Sequence, residues 1–357
     1  MNDRPISSPS SSSNCASAPT VLILGANGRL GTAAVQAFAN AGWRVLAQAR
    51  RLPSMLPTGA RALVADIRET GSIAAQAAGA RAVLYAVNPV YTRWQQDALP
   101  FARAGMDIAQ ALDATFLMPG NVYNFGESMP ALLAESTPQR PSTRKGRIRA
   151  AMEAELELRA ARGLRGVLLR AGDFFGAAEG TWLDLAIAKS IGAGRLVYPG
   201  PLGQPHAWAY LPDLARAFVA LAERDDLPRF TRLHFPGHTL TGSQLLEGIG
   251  RAARAAGLAP AGEFRVKGMP WGLIRLIGLA LPMWREIAEM SYLWRVPHAL
   301  DGTALREAVG ELPGTPLDEA LSQALLALPE PRARVQRSAP PAAAQVRGRR
   351  GAAADLS

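Results

Sequence analysis

The chain has 357 residues, 48% hydrophobic and 19% charged, enough for one large core with a smaller attached part. A single cysteine, Cys15, excludes a disulfide framework and a cysteine-built metal centre, and the four histidines supply no metal-ligand set, so no metal is expected. The formal charge of +10 does not mark a specific nucleic-acid binder: it is nearly all arginine scattered through an Ala-rich chain, with only Lys145, Lys189 and Lys267 as lysines.

Residues 1–19 are Ser-rich, lack the apolar run of a signal peptide, and read as a disordered leader of a cytoplasmic protein. From residue 20 to 170, short aliphatic runs alternate with longer amphipathic stretches, the pattern of βαβ units on a parallel sheet. The spacing predicts strands over 21–24, 44–48, 62–65, 82–86, 115–118 and 166–170. It predicts helices over 30–41, 70–78, 93–111 and 145–162. Residues 124–144, rich in Pro, Ser, Thr and Gly, form a loop beyond the fifth strand, on the side where open α/β sheets bind ligands.

Past residue 170 the rhythm becomes irregular, with a turn-rich connector over 198–203, a helix over 212–224 and a mostly helical pattern over 242–328. The apolar stretch 268–284 is interrupted by Arg275 and by Pro270 and Pro282, so it is too short and broken to span a membrane. It reads as a helix of a substrate cap, with contact to a membrane surface as the alternative. Residues 329–357 read as a disordered tail, in which six arginines face Asp355 among Pro and Ala residues. The expected fold class is therefore α/β: a Rossmann-type doubly wound parallel sheet with a core over 20–170. The remaining core elements and a smaller, mostly helical C-terminal substrate cap occupy 171–328.

The segment Gly25-Ala26-Asn27-Gly28-Arg29-Leu30-Gly31 ends an apolar strand and opens an Ala-rich helix. In that context Gly25 permits the tight turn, Gly28 lets a pyrophosphate approach the backbone, and Gly31 lets the helix sit close to the strand. The second strand ends in Ala49-Arg50-Arg51 with no acidic residue to accept ribose hydroxyls. Two arginines there suit a 2′-phosphate, which favours NADP over NAD, although in so Arg-rich a chain they also read as surface residues. Asp66 and Ile67 follow the third strand, and Ala86, Val87 and Asn88 follow the fourth; both sets face the adenine and ribose in such a sheet, or serve as plain turn chemistry.

Together with Gly120-Asn-Val-Tyr-Asn-Phe-Gly126, Leu169-Arg-Ala-Gly-Asp-Phe-Phe-Gly176 and Tyr210-Leu-Pro-Asp213, these motifs resemble the extended and atypical short-chain dehydrogenase/reductases, the superfamily of nucleotide-sugar epimerases and dehydratases, over roughly residues 20–328. The resemblance implies a Ser or Thr near the end of the fifth strand and a Tyr-x-x-x-Lys pair on the next long helix. Matched to that family pattern, Pro119 falls at the hydroxyl position, Lys145 where Tyr belongs and Arg149 where Lys belongs. Arg149 keeps a permanent cation for a ribose or phosphate, whereas Lys145 replaces a phenol with an ammonium.

Candidate catalytic residues are then Lys145, Tyr123 and Asn121, with Asp173, Tyr210 and His206 (beside Trp208) as candidate substrate contacts. The resemblance implies an NADP-preferring oxidoreductase or epimerase relative acting on a carbonyl or sugar-like small molecule through a non-standard proton donor. The missing pair leaves open a non-catalytic NADP(H)-binding sensor, regulator or assembly factor. Ile148, Met152 and Leu156 form a core stripe on the long helix, and its outer face reads either as a homodimer contact or as solvent surface.

Overall fold

The computed structural model describes residues 18–53, 55–177, 179–258 and 262–328. The tail expected over 329–357 and all but the last two residues of the expected leader lie outside the described residues.

The first five strands are β1 (Thr20–Leu24), β2 (Arg44–Ala49), β3 (Ala60–Val64), β4 (Ala82–Tyr85) and β5 (Thr115–Gly120). They are joined by α1 (Arg29–Asn40), α2 (Thr70–Gln76) and α3 (Trp94–Ala111), with no helix among the described residues between β2 and β3. Then follow β6 (Leu132–Leu133), α4 (Arg144–Ala160), β7 (Gly166–Arg170), β8 (Asp173–Phe175), β9 (Arg195–Tyr198), β10 (Pro205–Tyr210) and α5 (Leu211–Ala222). The chain continues through β11 (Phe230–His234), β12 (His238–Thr241), α6 (Gly242–Ala255), β13 (Arg265–Gly268), α7 (Trp271–Gly278) and α8 (Pro282–Glu289). It closes with β14 (Ala299–Leu300), α9 (Thr303–Val309) and α10 (Leu317–Leu326).

Seven parallel strands form the main sheet in the order β11-β7-β5-β4-β1-β2-β3. Both faces are covered, so the central strands are apolar throughout: all five residues of β1, four of β4 and five of β7 are buried. One face packs on α1 and α5 through Ala34, Phe38, Leu214 and Phe218, the other on α2, α3 and α4 through Ile73, Met106 and Leu156. The direction of winding reverses between β1 and β4, which opens a crevice at their carboxyl ends.

Beyond β7 the chain leaves the sheet to lay down β8 and β10, returns to the main sheet as β11, and then adds β12 to complete a small sheet in the order β12-β10-β8. The core therefore extends past residue 170. A separate apolar cluster, with Trp208, Ile249, Trp294 and Leu321, forms the interior of the C-terminal part. Sequence periodicity does not reveal β11 because it is an edge strand, and its Phe-Thr-Arg-Leu-His has neither a regular apolar–polar alternation nor the aliphatic run of the central strands.

A buried polar network joins these parts. Arg170 of β7 donates to Glu153 of α4 through Nη2 (2.6 Å) and Nε (3.2 Å), and both side chains are almost wholly inaccessible. Asn124 and Gln139 also donate to Glu153, at 3.2 and 2.8 Å. The ring of His234 in β11 lies with Nε2 3.2 Å from Arg170 Nη1 and Nδ1 2.9 Å from the Leu133 carbonyl. Burial pushes the His234 pKa down to about 4, so the neutral ring donates through Nδ1 and accepts from Arg170.

Candidate functional site

The crevice begins at the glycine turn. Gly25 adopts a φ of +81°, and its N–H and that of Ala26 donate to the Gln48 carbonyl at 3.0 and 2.8 Å. The buried Gln48 side chain also accepts from the Gly25 N–H (3.1 Å) and donates to the Ala65 carbonyl (2.7 Å), tying β1, β2 and β3 together beneath the turn. A Cβ on Gly25 would lie 3.0 Å from the Ala86 carbonyl group, and one on Gly31 would lie 2.2 Å from the Gly25 carbonyl oxygen. α1 then starts with no side-chain cap, so its first-turn N–H groups remain available to an anion. Leu30 is buried behind the turn, and Arg29 reaches across to Gly180. These features fit the pyrophosphate of a dinucleotide.

At the neighbouring strand ends the Asn27 amide donates to the Arg51 carbonyl (2.9 Å), linking the turn to the end of β2. Arg50 and Arg51 are exposed. Asn27 and Arg51 also line one part of a groove of about 1100 Å³ running between α1, α5 and residues 51–53 and 55–57. The Asp66 carboxylate accepts from Arg68 at 2.7 and 2.8 Å, and these bonds, aided by the charge of Arg50, hold its pKa down at about 2. Arg93 pairs with Asp97 (2.6 Å), and the charges of Arg68 and Arg50 lower Asp97 further. This end of the crevice thus gathers Arg50, Arg51, Arg68 and Arg93, with Asp66 and Asp97 already paired and Glu69 accepting from the Asp66 N–H (2.7 Å). Ile67 is buried below; Ala86 bonds to Leu24 (2.8 Å), Val87 is half-buried and Asn88 exposed.

On the far side of β5, Arg149 donates to the Pro119 carbonyl (3.3 Å), and its guanidinium lies 4.9 Å over the Trp94 ring. Arg149 Nε is buried without a partner among the described residues, and so is the hydroxyl of Tyr85, near enough for the two to interact electrostatically. Buried polar atoms without partners are costly unless a bound group satisfies them.

The side chain of Asn121 accepts from the Tyr123 N–H (3.1 Å) and shapes the turn after β5. Tyr123 is buried, and burial, then the nearby Tyr91 and Asp173, push its phenol well above the ordinary range. Lys145 sits differently: its ammonium is buried, donates to the Glu286 carbonyl (3.1 Å), Glu289 (3.0 Å) and the Glu286 carboxylate, and lies 5.2 Å from the Tyr91 ring. Its hydrogens are thus engaged by α8. Neither carboxylate was among the residues singled out in the sequence, because they lie 141 and 144 residues away.

Asp173, at the start of β8, pairs with His206 Nε2 of β10 at 2.9 Å. The His206 ring stacks on Trp294 at 4.5 Å, with His298 edge-on at 4.5 Å. Burial takes Tyr198 up to about 12, and the charge of Asp173 adds to this and bears on Tyr123 and Tyr292 as well. Asp173 therefore faces an interior lined by tyrosines from both halves of the chain. Tyr210 is committed elsewhere, its hydroxyl donating to Gln323 of α10 at 2.6 Å.

The model of the NAD dependent epimerase/dehydratase family matches residues 21–231. No curated protein sequence matches the chain. Among solved structures, L-threonine dehydrogenase from Clostridium difficile is 18% identical, with a TM-score of 0.67 and coverage of 87% of this chain and 98% of that one. UDP-N-acetylglucosamine 4-epimerase from Bacillus cereus is 13% identical, with a TM-score of 0.66 and coverage of 87% and 99%. MoeE5 in complex with UDP-glucose and NAD is 19% identical, with a TM-score of 0.64 and coverage of 86% and 97%. At these identities the likeness is one of fold.

Proposed function

Because the chain belongs to the NAD dependent epimerase/dehydratase family, we propose that it is a nicotinamide-dinucleotide-dependent oxidoreductase or epimerase-like enzyme that prefers NADP(H) and acts on a carbonyl or sugar-like small molecule. The observation that carries this reading is the uncapped glycine turn at the carboxyl end of β1, where the strand order reverses; Arg149 Nε and the Tyr85 hydroxyl, two of the buried atoms without a partner among the described residues, support it. The turn from Gly25 to Gly31 would hold the pyrophosphate, Arg50 and Arg51 a 2′-phosphate, the Ala86-Val87-Asn88 and Asp66-Ile67 segments the adenine side, and Arg149 the nicotinamide ribose. A bound nicotinamide supplies or accepts a hydride.

Of the candidate donors, Tyr123 fits best. At neutral pH its phenol carries a proton that it would donate to a substrate oxygen, and the charge of Asp173, which pairs with His206, bears on that phenol. Asn121 shapes the turn that presents Tyr123, and Lys145 fastens α8 to α4.

Titration with NADPH and NADH, followed by tryptophan fluorescence, tests the cofactor. Charge-assisted contacts to a 2′-phosphate predict a preference for NADPH of about 10- to 100-fold. Arg50→Ala/Arg51→Ala should erase that preference, and an unchanged preference in the double variant would refute this assignment. Against a panel of aldehydes, ketones and nucleotide sugars, Tyr123→Phe should lower kcat by about 10²- to 10⁴-fold with NADPH affinity intact. Lys145→Met should chiefly lower thermal stability. NADPH binding without turnover on the panel would favour a non-catalytic sensor, regulator or assembly factor, a reading that the engaged ammonium of Lys145 supports.

A further inference from the structure

The helical hairpin of α7 and α8 presents an apolar crest that nothing among the described residues covers. Its inner side is well anchored: Ile274 and Gly278 are buried, the Trp271 indole donates to the Pro199 carbonyl (2.6 Å), and Glu286 holds Lys145. The outer side carries Leu273, Leu276, Leu279, Leu281, Met283 and Trp284, with Leu276 65% and Leu279 84% exposed at and near the tip. So large an apolar patch at a projecting hairpin marks a contact surface rather than scattered surface residues.

The charges around it identify the kind of partner. Arg265 and Lys267 of β13, Arg275 of α7 and Arg285 of α8 are exposed, and among the described residues none is in an ion pair. From 262 to 285 the sole exposed carboxylate among the described residues is that of Glu263. A second copy seated on this face about a two-fold axis would bring these cations toward their like, which is repulsive. Leucines and a tryptophan flanked by unpaired Arg and Lys are instead the composition of an element lying in a lipid interface, apolar chains among the acyl groups and cations at anionic headgroups.

We propose that the α7–α8 hairpin docks the protein on an anionic lipid surface, with Leu276 and Leu279 inserted and Arg265, Lys267, Arg275 and Arg285 against the headgroups. No helix among the described residues is long and apolar enough to cross a membrane, so the contact is peripheral. α8 also carries Glu286 and Glu289, and docking therefore sets the Lys145 wall of the candidate site beside the bilayer.

The test is flotation of the full-length protein with vesicles of phosphatidylcholine containing phosphatidylglycerol, and with phosphatidylcholine alone. Binding to the anionic vesicles is expected, with Leu276→Glu/Leu279→Glu lowering the partition coefficient at least about 100-fold. Melting temperature and NADPH affinity should stay unchanged in that variant, because both leucines are solvent-exposed. Absence of the protein from the floated fraction would overturn the proposal. Undiminished flotation of the variant would overturn it too, since that binding would belong to the arginines of 331–357. A concentration-dependent dimer in sedimentation, lost in the variant and unaccompanied by vesicle binding, would assign the crest to a second copy instead.

Discussion

Glu153→Ala is expected to lower the melting temperature by about 4–7 °C, because removing one partner of a buried ion pair costs about 3–5 kcal/mol and the unfolding entropy of a chain of this size is large. Arg170 would keep its charge with an accessible side-chain surface of 1%, and the amides of Asn124 and Gln139 would lose their shared acceptor. Glu153→Met/Arg170→Met should recover much of the loss, since an apolar pair of similar volume carries no desolvation penalty. A shift below about 3 °C for Glu153→Ala would mean that water replaces the carboxylate and that the network is not dry. Acidification acts on the same cluster. His234 titrates near 4 in the fold against an ordinary value of 6.5, so its contribution is complete above pH 6.5 and is lost as the pH falls toward 4. His234→Gln should flatten that part of the stability profile.

Gly31→Ala is expected to weaken NADPH binding at least about 100-fold while costing about 1–3 kcal/mol of stability, the usual range for overpacking. The added Cβ would meet the Gly25 carbonyl oxygen at 2.2 Å and the Ala26 Cα at 2.8 Å, both backbone atoms of the turn itself. The clash can be relieved only by moving α1 off the strand or by opening the turn, and either displaces the N–H groups an anion would use. Gly71→Ala in α2 is the control, as its new methyl meets nothing within 4 Å and binding should be unaffected. Normal NADPH affinity in Gly31→Ala would sink the assignment of this turn to the pyrophosphate.

What was legible in the sequence was local. The strand, turn and helix around Gly25 declare themselves through an apolar run and glycine spacing, and β7 falls where the aliphatic pattern puts it, over residues 166–170. Interactions between distant residues leave no such pattern. Gln48 looks like a polar interruption near the end of β2, yet it is the clamp beneath the turn. Lys145 reads as a stray basic residue in a catalytic position until Glu286 and Glu289 come into view from α8. Asp66, placed by sequence at the adenine, is held by Arg68 two residues on, a pairing that short-range reading could have found. The proximity of Asp173 to His206 depends on β8 pairing with β10, whose register aligns Asp173 with Trp208, and strands this short give little periodic signal.

The late return of the chain to its sheet has a consequence for biogenesis. β11 completes the edge beside β7, and His234 accepts a bond from Arg170, so the nucleotide-binding half has no finished border until residue 234 has been made. While the ribosome is still adding residues 171–229, β7 remains an open template with its guanidinium only partly satisfied. A fragment ending at residue 170 would not be a portable cofactor-binding module: it should aggregate through that exposed edge, and only synthesis through His234 should yield a soluble, protease-resistant species.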